Sequence, residues 1–433
     1  MSARQAHDRY AGLWGAVVCQ FVIFSSRDAV LPAADSKLVA KRITQRPNNP
    51  ATQQPNDPTT QRPNAIRTMS RNSTMPNLIA NLSKRMPVSH GPHCVFKKTG
   101  WLGAAAAIVL LALNMPALAV DKQIVIKFSH VAAMGTPKSK AIDHFKQLAE
   151  RNTAGKVRVD VYPNSTLYKD KEELEALQMG AVQMLAPTLS KFGPLGIREF
   201  EVFDLPFLFD DRAALRRVVD GPVGQRLFGI LETKGIRGLA YWDMGFKMMS
   251  ANRPIRVPAD MRGLKVRIQG SKVIDEQMRT LGALPQVMSF SEMTQALQSG
   301  VVDGAENPPL NFHSQKVYEV QKHLAVTEHG YMGFAVIVNK RFWDGLPPEI
   351  RSGLEAALAE ATRMNNTLTE RESAEAMLAI AKTGKTTIYK PTPQEMAQWR
   401  QALLPVHKKM EERIGKDLLA GVYQALGKGA GQK

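Results

Sequence analysis

Along residues 123–130 (QIVIKFSH) apolar and polar side chains alternate, the period of a strand with one face in a core. The next stretch, TPKSKAIDHFKQLAERNTAGK, instead puts Ala141, Phe145 and Leu148 on one helical stripe, with Gly155 as its stop. A strand at 157–163, a helix in KDKEELEALQMGA and a strand at 182–188 follow, and this alternation predicts a parallel α/β sheet. Residues 198–211 (REFEVFDLPFLFDD) are rich in aromatics and are expected to form core around a turn at Pro206. Another strand is predicted within 235–250. The segments GLKVRI, SKVIDEQMRTLG, LPQVMSF and SEMTQALQSG then repeat the strand–helix alternation. A long helix is predicted at about 347–384, with Leu354, Ala357, Leu358 and Ala361 on one face, and two more amphipathic helices over about 391–427. The pattern predicts two α/β lobes with a crevice between them, the usual place for a small-molecule site.

Composition changes the picture mainly at the N-terminal end. The chain has 433 residues and a formal charge of +18. Residues 45–75 are rich in Pro, Asn, Gln and Thr and lack the apolar surface that folding requires. Residues 97–119 (KKTGWLGAAAAIVLLALNMPALA) join two lysines, a short apolar run, Pro116, and Ala117 and Ala119 in A-x-A spacing. That is the pattern of a secretory signal peptide cleaved after Ala119, and its apolar run is too short for a membrane anchor. The expectation is therefore an unfolded leader over 1–96, with translation starting nearer Met86 or Val95, then a signal peptide over 97–119 and export to the periplasm. From Val120 onward Lys+Arg number 43 and Asp+Glu 35, a mild and interspersed excess that is no nucleic-acid stripe. Both cysteines, Cys19 and Cys94, precede Val120, so the exported part has no disulfide and no cysteine nucleophile.

Candidate chemistry is sparse. Dinucleotide, P-loop, serine-hydrolase and H-E-x-x-H motifs are all missing, and KTG at 382–384 occurs without a preceding S-x-x-K. The six histidines after Val120 show no metal-ligand spacing, so neither metal nor cofactor is expected. His130 stands out because it ends the first predicted strand, where ligands bind in open α/β sheets. In GLKVRIQGS, Leu264, Val266 and Ile268 form the core face, while Lys265, Arg267 and Gln269 form the other. Arg267 there faces either solvent or a carboxylate, which a guanidinium holds through two parallel hydrogen bonds. Asn307 precedes two prolines that stiffen its backbone; it is a turn former or a rigid amide for a ligand. Phe290 is core by default. Tyr241, Trp242, Phe246 and Lys247 mix aromatics with a cation, which reads either as core with a snorkelling lysine or as ligand contacts.

The segments GLKVRIQGSKV, LPQVMSFSEMTQALQSGVVDGAENPP, VYEVQKHL, HGYMGFAVIVNKRFW and LAYWDMGFKMMSANRP together resemble the solute-binding proteins of tripartite ATP-independent periplasmic (TRAP) transporters. The likeness is to their DctP-type, C4-dicarboxylate-binding branch and runs from about Gln123 to about Leu426. It implies a two-lobed periplasmic-binding-protein-like α/β clamp with a long helix spanning both lobes. The partition is lobe I at 120–244 and 333–372, and lobe II at 245–332 and 373–433. By position the resemblance puts the carboxylate-clamping arginine at Arg267, its partner asparagine at Asn307 and the covering aromatic at Phe290. A second basic position falls on Lys247, a first-lobe polar one on Thr188, and first-lobe loop contacts on His130 and Lys138; Trp242 is carried with them. Met244, Gly270 and Leu310 depart from the branch, Met244 and Gly270 in ways expected to enlarge or dry the pocket. The implied function is non-catalytic capture of succinate, malate, fumarate or a similar organic acid, by a monomer that delivers it to the small and large membrane subunits of a permease. Competing readings are a monocarboxylate or 2-oxo acid as ligand, a sensor kinase as partner, and a secreted hydrolase or lyase using His130.

Overall fold

The computed structural model describes residues 122–428, so the expected leader at 1–96 and signal peptide at 97–119 lie outside the described residues. Eleven strands are present among them. In chain order they are β1 (Ile124–Ser129), β2 (Val157–Tyr162), β3 (Met184–Leu185), β4 (Ile236–Phe246) and β5 (Met248–Ala251). After these come β6 (Lys265–Ile268), β7 (Leu284–Val287), β8 (Gly304–Asn307), β9 (His323–Ala325), β10 (Tyr331–Asn339) and β11 (Thr387–Tyr389). Two sheets result, ordered β2-β1-β3-β10-β4 and β11-β9-β5-β8-β6-β7.

The alternation of the N-terminal third does make parallel pairs, β1 with β2 and β1 with β3. The first sheet is nevertheless mixed: β10 enters between β3 and β4 and runs antiparallel to both. All nine residues of β10 (YMGFAVIVN) are buried, as suits a strand covered on both faces. In the second sheet β6 is parallel to β7 and β8, while β5 is antiparallel to β8 and β9. Both sheets are covered by helices, and the two form the lobes of a clamp.

The chain passes between the sheets with little slack. Lys247 alone separates β4 from β5, and residues 326–330 separate β9 from β10. These crossings are tied together by the Lys247 amide, which donates to the Gly330 carbonyl at 2.8 Å. The expected boundaries after 244 and before 333 therefore fall inside β4 and β10. A third crossing is the long helix Pro348–Thr383, which starts on proline and ends on Gly384 in the left-handed region, φ 65°. Its expected face, Leu354, Ala357, Leu358 and Ala361, is buried in the first lobe's core against the helix Pro137–Asn152. Near its other end Ile380 enters the second lobe's core with Phe312 and Leu324. One helix thus joins two cores.

The helix Pro137–Asn152 follows the sequence pattern closely. Thr136 caps it, accepting a hydrogen bond from the Ser139 amide, and Ala141, Phe145 and Leu148 face inward. The aromatic run forms core as expected, with Phe200, Phe203 and Phe209 in one cluster, and the chain turns through Phe207 at φ 54°. At the C-terminal end three helices replace the expected two: Pro393–Leu403, Pro405–Ile414 and Lys416–Ala425. Pro405 starts the second, and Gly415, at φ 104°, breaks it from the third. The second packs on Lys272–Thr280 of one lobe and the third on Arg212–Val219 and Pro222–Glu232 of the other, so this segment straddles both.

Candidate functional site

β6 raises the question of where its polar face looks, and the answer changes along its length. Lys265 is exposed, whereas Arg267 is 0% and Gln269 4% exposed. The strand begins at the surface and ends in the crevice, so one face serves water first and a closed site afterwards. Arg267 donates from Nε and Nη2 to the Met288 carbonyl at 3.1 and 2.8 Å, which orients the guanidinium. Its Nη1 is buried and has no partner among the described residues. Burial pulls the Arg267 pKa below its ordinary value, opposed by Asp170, Glu306 and Glu292. A buried cation with one unused donor edge is costly unless an anion meets it. That edge is shaped for a carboxylate.

Between the sheets lies a largely enclosed cavity, walled among others by Lys138, Glu173, Thr188, Gln269 and Phe290. Phe290 lies beside Arg267, with the guanidinium carbon 5.9 Å from its ring centroid. Lys138 enters from the first turn of its helix. Its ammonium sits 3.9 Å from the Phe334 ring centroid and donates to the Ala186 carbonyl at 3.1 Å. Burial pulls the Lys138 pKa down to about 8, with Glu173 and Asp170 opposing. Thr188 accepts from Gln269 Nε2 at 3.1 Å, a hydrogen bond between lobes, and the buried Gln269 Oε1 has no partner among the described residues. Further contacts join the lobes near the cavity. The Phe290 amide donates to Asp170 Oδ1 at 3.3 Å, and Lys169 meets Glu292 at 3.1 Å.

The other expected positions fall elsewhere. Asn307 is buried behind the cavity wall; its Oδ1 accepts from Asn311 Nδ2 at 3.4 Å, and Asn311 is the amide on the wall. His130 is fully buried, and neither ring nitrogen has a partner among the described residues. Burial and then the Lys138 charge push its pKa down to about 3, far from the value a general base needs near neutrality. Two expectations need correction. Lys247 does not reach the cavity: it pairs with Glu306 at 3.1 Å and lies 3.8 Å from Asp204, so its charge is already met. Trp242 points to the long helix, donating from Nε1 to Thr362 Oγ1 at 2.8 Å. Of the departures, Met244 does line the cavity. A side chain at Gly270 would instead meet Pro194 Cγ at 3.1 Å, so its glycine does not enlarge the pocket.

Sequence reasoning missed Asp170, Glu173, Lys191 and Asn311. Asp170 accepts an ion pair from Lys191, and both are buried. Burial pushes the Asp170 carboxyl up, but the Lys191 charge and hydrogen bond outweigh it and hold the pKa below the ordinary value. In KDKEELEALQ the acids read as an exposed helix face, and nothing local marks which of them turn inward. Gln269 was within reach, two residues beyond Arg267 on the same strand face. No cluster of three or more His, Cys, Asp or Glu side chains is placed to hold a metal ion among the described residues.

Two mixed sheets, three crossings and an enclosed, charged cavity between them define a two-lobed binding protein. Residues 128–413 match the family model for bacterial extracellular solute-binding protein, family 7, and the chain belongs to that family. It is 57% identical over 326 residues to the C4-dicarboxylate-binding periplasmic protein DctP of Rhodobacter capsulatus, covering 75% of this chain and 97% of that one. It is 41% identical over 301 residues to the C4-dicarboxylate-binding protein DctB of Bacillus subtilis, covering 69% and 86% respectively. Among solved structures, a TRAP periplasmic solute-binding protein from Sulfurospirillum deleyianum with bound succinate matches with TM-score 0.68 and 40% identity, over 70% of this chain and 99% of that one. One from Pseudomonas aeruginosa with bound L-malate matches with TM-score 0.65 and 41% identity, over 66% and 99%. These relatives are solute-binding proteins, and no helix among the described residues is long and apolar enough to cross a membrane.

Proposed function

We propose that this protein captures a C4-dicarboxylate, such as succinate, malate or fumarate, between its lobes in the periplasm and delivers it to the two membrane subunits of a TRAP permease. The observation that carries the reading is the buried guanidinium of Arg267, whose Nη1 has no partner among the described residues, set behind Phe290 on the wall of the cavity that the Lys138 ammonium also lines. Arg267 holds one carboxylate, Lys138 meets the other charge, Phe290 covers the ligand, and Thr188 with Gln269 ties the lobes over it. Asn307 acts through Asn311. Closure excludes water and strengthens each charge-assisted bond, so binding and closure are one thermodynamic event. The lobes are taken as 120–244 with 333–372 and 245–332 with 373–433, adjusted at β4, β10 and the C-terminal helices as described above. Export uses the signal sequence at 97–119. The bound dicarboxylates named for the Sulfurospirillum and Pseudomonas relatives favour this ligand class over monocarboxylates.

A thermal melt of residues 120–433 against a panel of organic acids tests it. A dicarboxylate at about a hundred times its Kd is expected to add roughly 2.7 kcal/mol of stability, visible as a higher Tm. A shift with monocarboxylates or 2-oxo acids alone contradicts the ligand class. In the same panel Lys138→Gln is expected to lose about tenfold or more in affinity for dicarboxylates, the loss of a charge-assisted bond of roughly 1.5–3 kcal/mol. Its affinity for a monocarboxylate held by Arg267 should change little. Equal losses for both ligand types would remove Lys138 from the second carboxylate.

A further inference from the structure

The charges around the cavity do not balance for a dianion when every acid is ionised. Lys191 and Asp170 cancel as a buried ion pair, which leaves Lys138 and Glu173 on the wall and the buried Arg267 beside the wall residue Phe290. Glu173 opens the short helix Glu173–Gln178, is 1% exposed, and lines the cavity. Its carboxyl makes no hydrogen bond to any described residue and meets only charges: Lys138 from the helix Pro137–Asn152, Lys191 from the turn after β3, and Asp170 from its own loop. Arg267 on β6, which Glu306 and Glu292 also act on, and the neutral His130 just after β1 lie beside this cluster.

Ionised, Glu173 cancels Lys138 and leaves Arg267 as the one uncompensated cation, a setting for a monoanion. Protonated, it frees Lys138 on the cavity wall, and with Arg267 buried beside Phe290 two cations are then uncompensated, a setting for a dianion. We propose that Glu173 takes up one proton from solvent when a dicarboxylate binds, and that its charge state decides whether the cavity accepts a dianion or a monoanion. This deepens, and rests on, the organic-acid reading above. The neutral carboxyl also gains an O–H that donates to a ligand carboxylate oxygen, a role the carboxylate cannot fill.

Burial pushes the Glu173 pKa up to about 7, with Lys138 and Lys191 opposing and Asp170 adding, so the proton is exchangeable near neutrality. A dianion placed beside the carboxyl raises its pKa further, so the complex binds more protons than the free protein. Dicarboxylate affinity therefore falls as pH rises above about 7, by up to about tenfold per pH unit.

Titration calorimetry with fumarate, already a dianion at neutral pH, in two buffers of different ionisation heat measures the uptake directly. At about pH 7, where Glu173 is near its midpoint, roughly half a proton per fumarate is expected. Infrared difference spectra on binding assign it: a protonated-carboxyl band should appear in the parent and be missing in Glu173→Gln. Fumarate bound without net proton uptake overturns this inference and leaves the dicarboxylate reading standing, as does a band that persists in the variant. Failure of fumarate, succinate and malate alike to bind overturns both.

Discussion

Replacing Arg267 by alanine is expected to weaken dicarboxylate binding by a factor between about thirty and several thousand. Truncating one partner of a buried, hydrogen-bonded charge pair costs about 2–5 kcal/mol, and each 1.4 kcal/mol is tenfold in Kd. The loss should be this large because the guanidinium is already oriented by the Met288 carbonyl and already dehydrated, so a ligand carboxylate meets a prepared donor edge. Arg267→Lys separates charge from geometry. It keeps a cation but loses the planar fork, and an intermediate loss is expected, since a lysine ammonium cannot reproduce two parallel hydrogen bonds. Unliganded Arg267→Ala should fold, because the substitution removes a costly buried cation along with the two bonds to Met288. Calorimetric titration of both variants checks this; parental affinity in Arg267→Ala would remove Arg267 from the site and with it the basis of the proposed function.

The second large effect is on stability, at the crossing of the two lobes. Lys247, Glu306 and His329 form a buried chain: the ammonium lies 3.1 Å from each oxygen of the Glu306 carboxylate, and Oε2 also lies 3.3 Å from His329 Nε2. His329 Nδ1 in turn lies 2.7 Å from Thr327 Oγ1. Burial pushes the Glu306 carboxyl up, but Lys247 and His329 outweigh this and hold its pKa below the ordinary value. Lys247→Ala leaves that carboxylate, and Asp204 3.8 Å from the ammonium, buried without their lysine counter-charge, and breaking a buried pair in this way costs about 3–5 kcal/mol. In a domain of this size such a loss lowers Tm by on the order of 10 °C. Neutralising the acids that face the lysine as well, as in Lys247→Met with Glu306→Gln and Asp204→Asn, should recover much of it, because no bare charge is then stranded. A differential scan decides: a single variant within about 1 kcal/mol of the parent would mean that the network is hydrated and the lobe crossing is held by packing alone.

Both predictions concern residues whose setting was only partly legible in the sequence. Arg267 stood out because strand periodicity put it opposite Val266 and Ile268, and the same periodicity, continued two residues, reaches Gln269 on the cavity wall. Lys247 carried a similar polar-among-aromatic signal and misled. Its partners Glu306 and His329 lie 59 and 82 positions further along the chain, and which acid meets which base depends on how β5, β8 and the segment before β10 come together. Trp242 misled for the same reason: β4 buries both faces, and the helix that receives its N–H begins more than a hundred residues later.

Local regularities were legible from periodicity and capping, because 3.6-residue and 2-residue repeats are set by backbone geometry and by the need to hide apolar side chains. The long helix, the first helix with its Thr136 cap, the alternating strands and the aromatic core run all follow from that, as does the separation into two α/β lobes. The antiparallel insertion of β10 and the break of the C-terminal segment into three helices did not. Strand pairing is set by which edge is open when the chain returns, and a segment's own pattern does not carry that information. The charges of the site belong to the same class. Asp170, Glu173 and Lys191 are ordinary surface residue types, and folding alone brings them onto one cavity wall with Lys138 and near the buried Arg267, where removal of water strengthens every interaction among their charges.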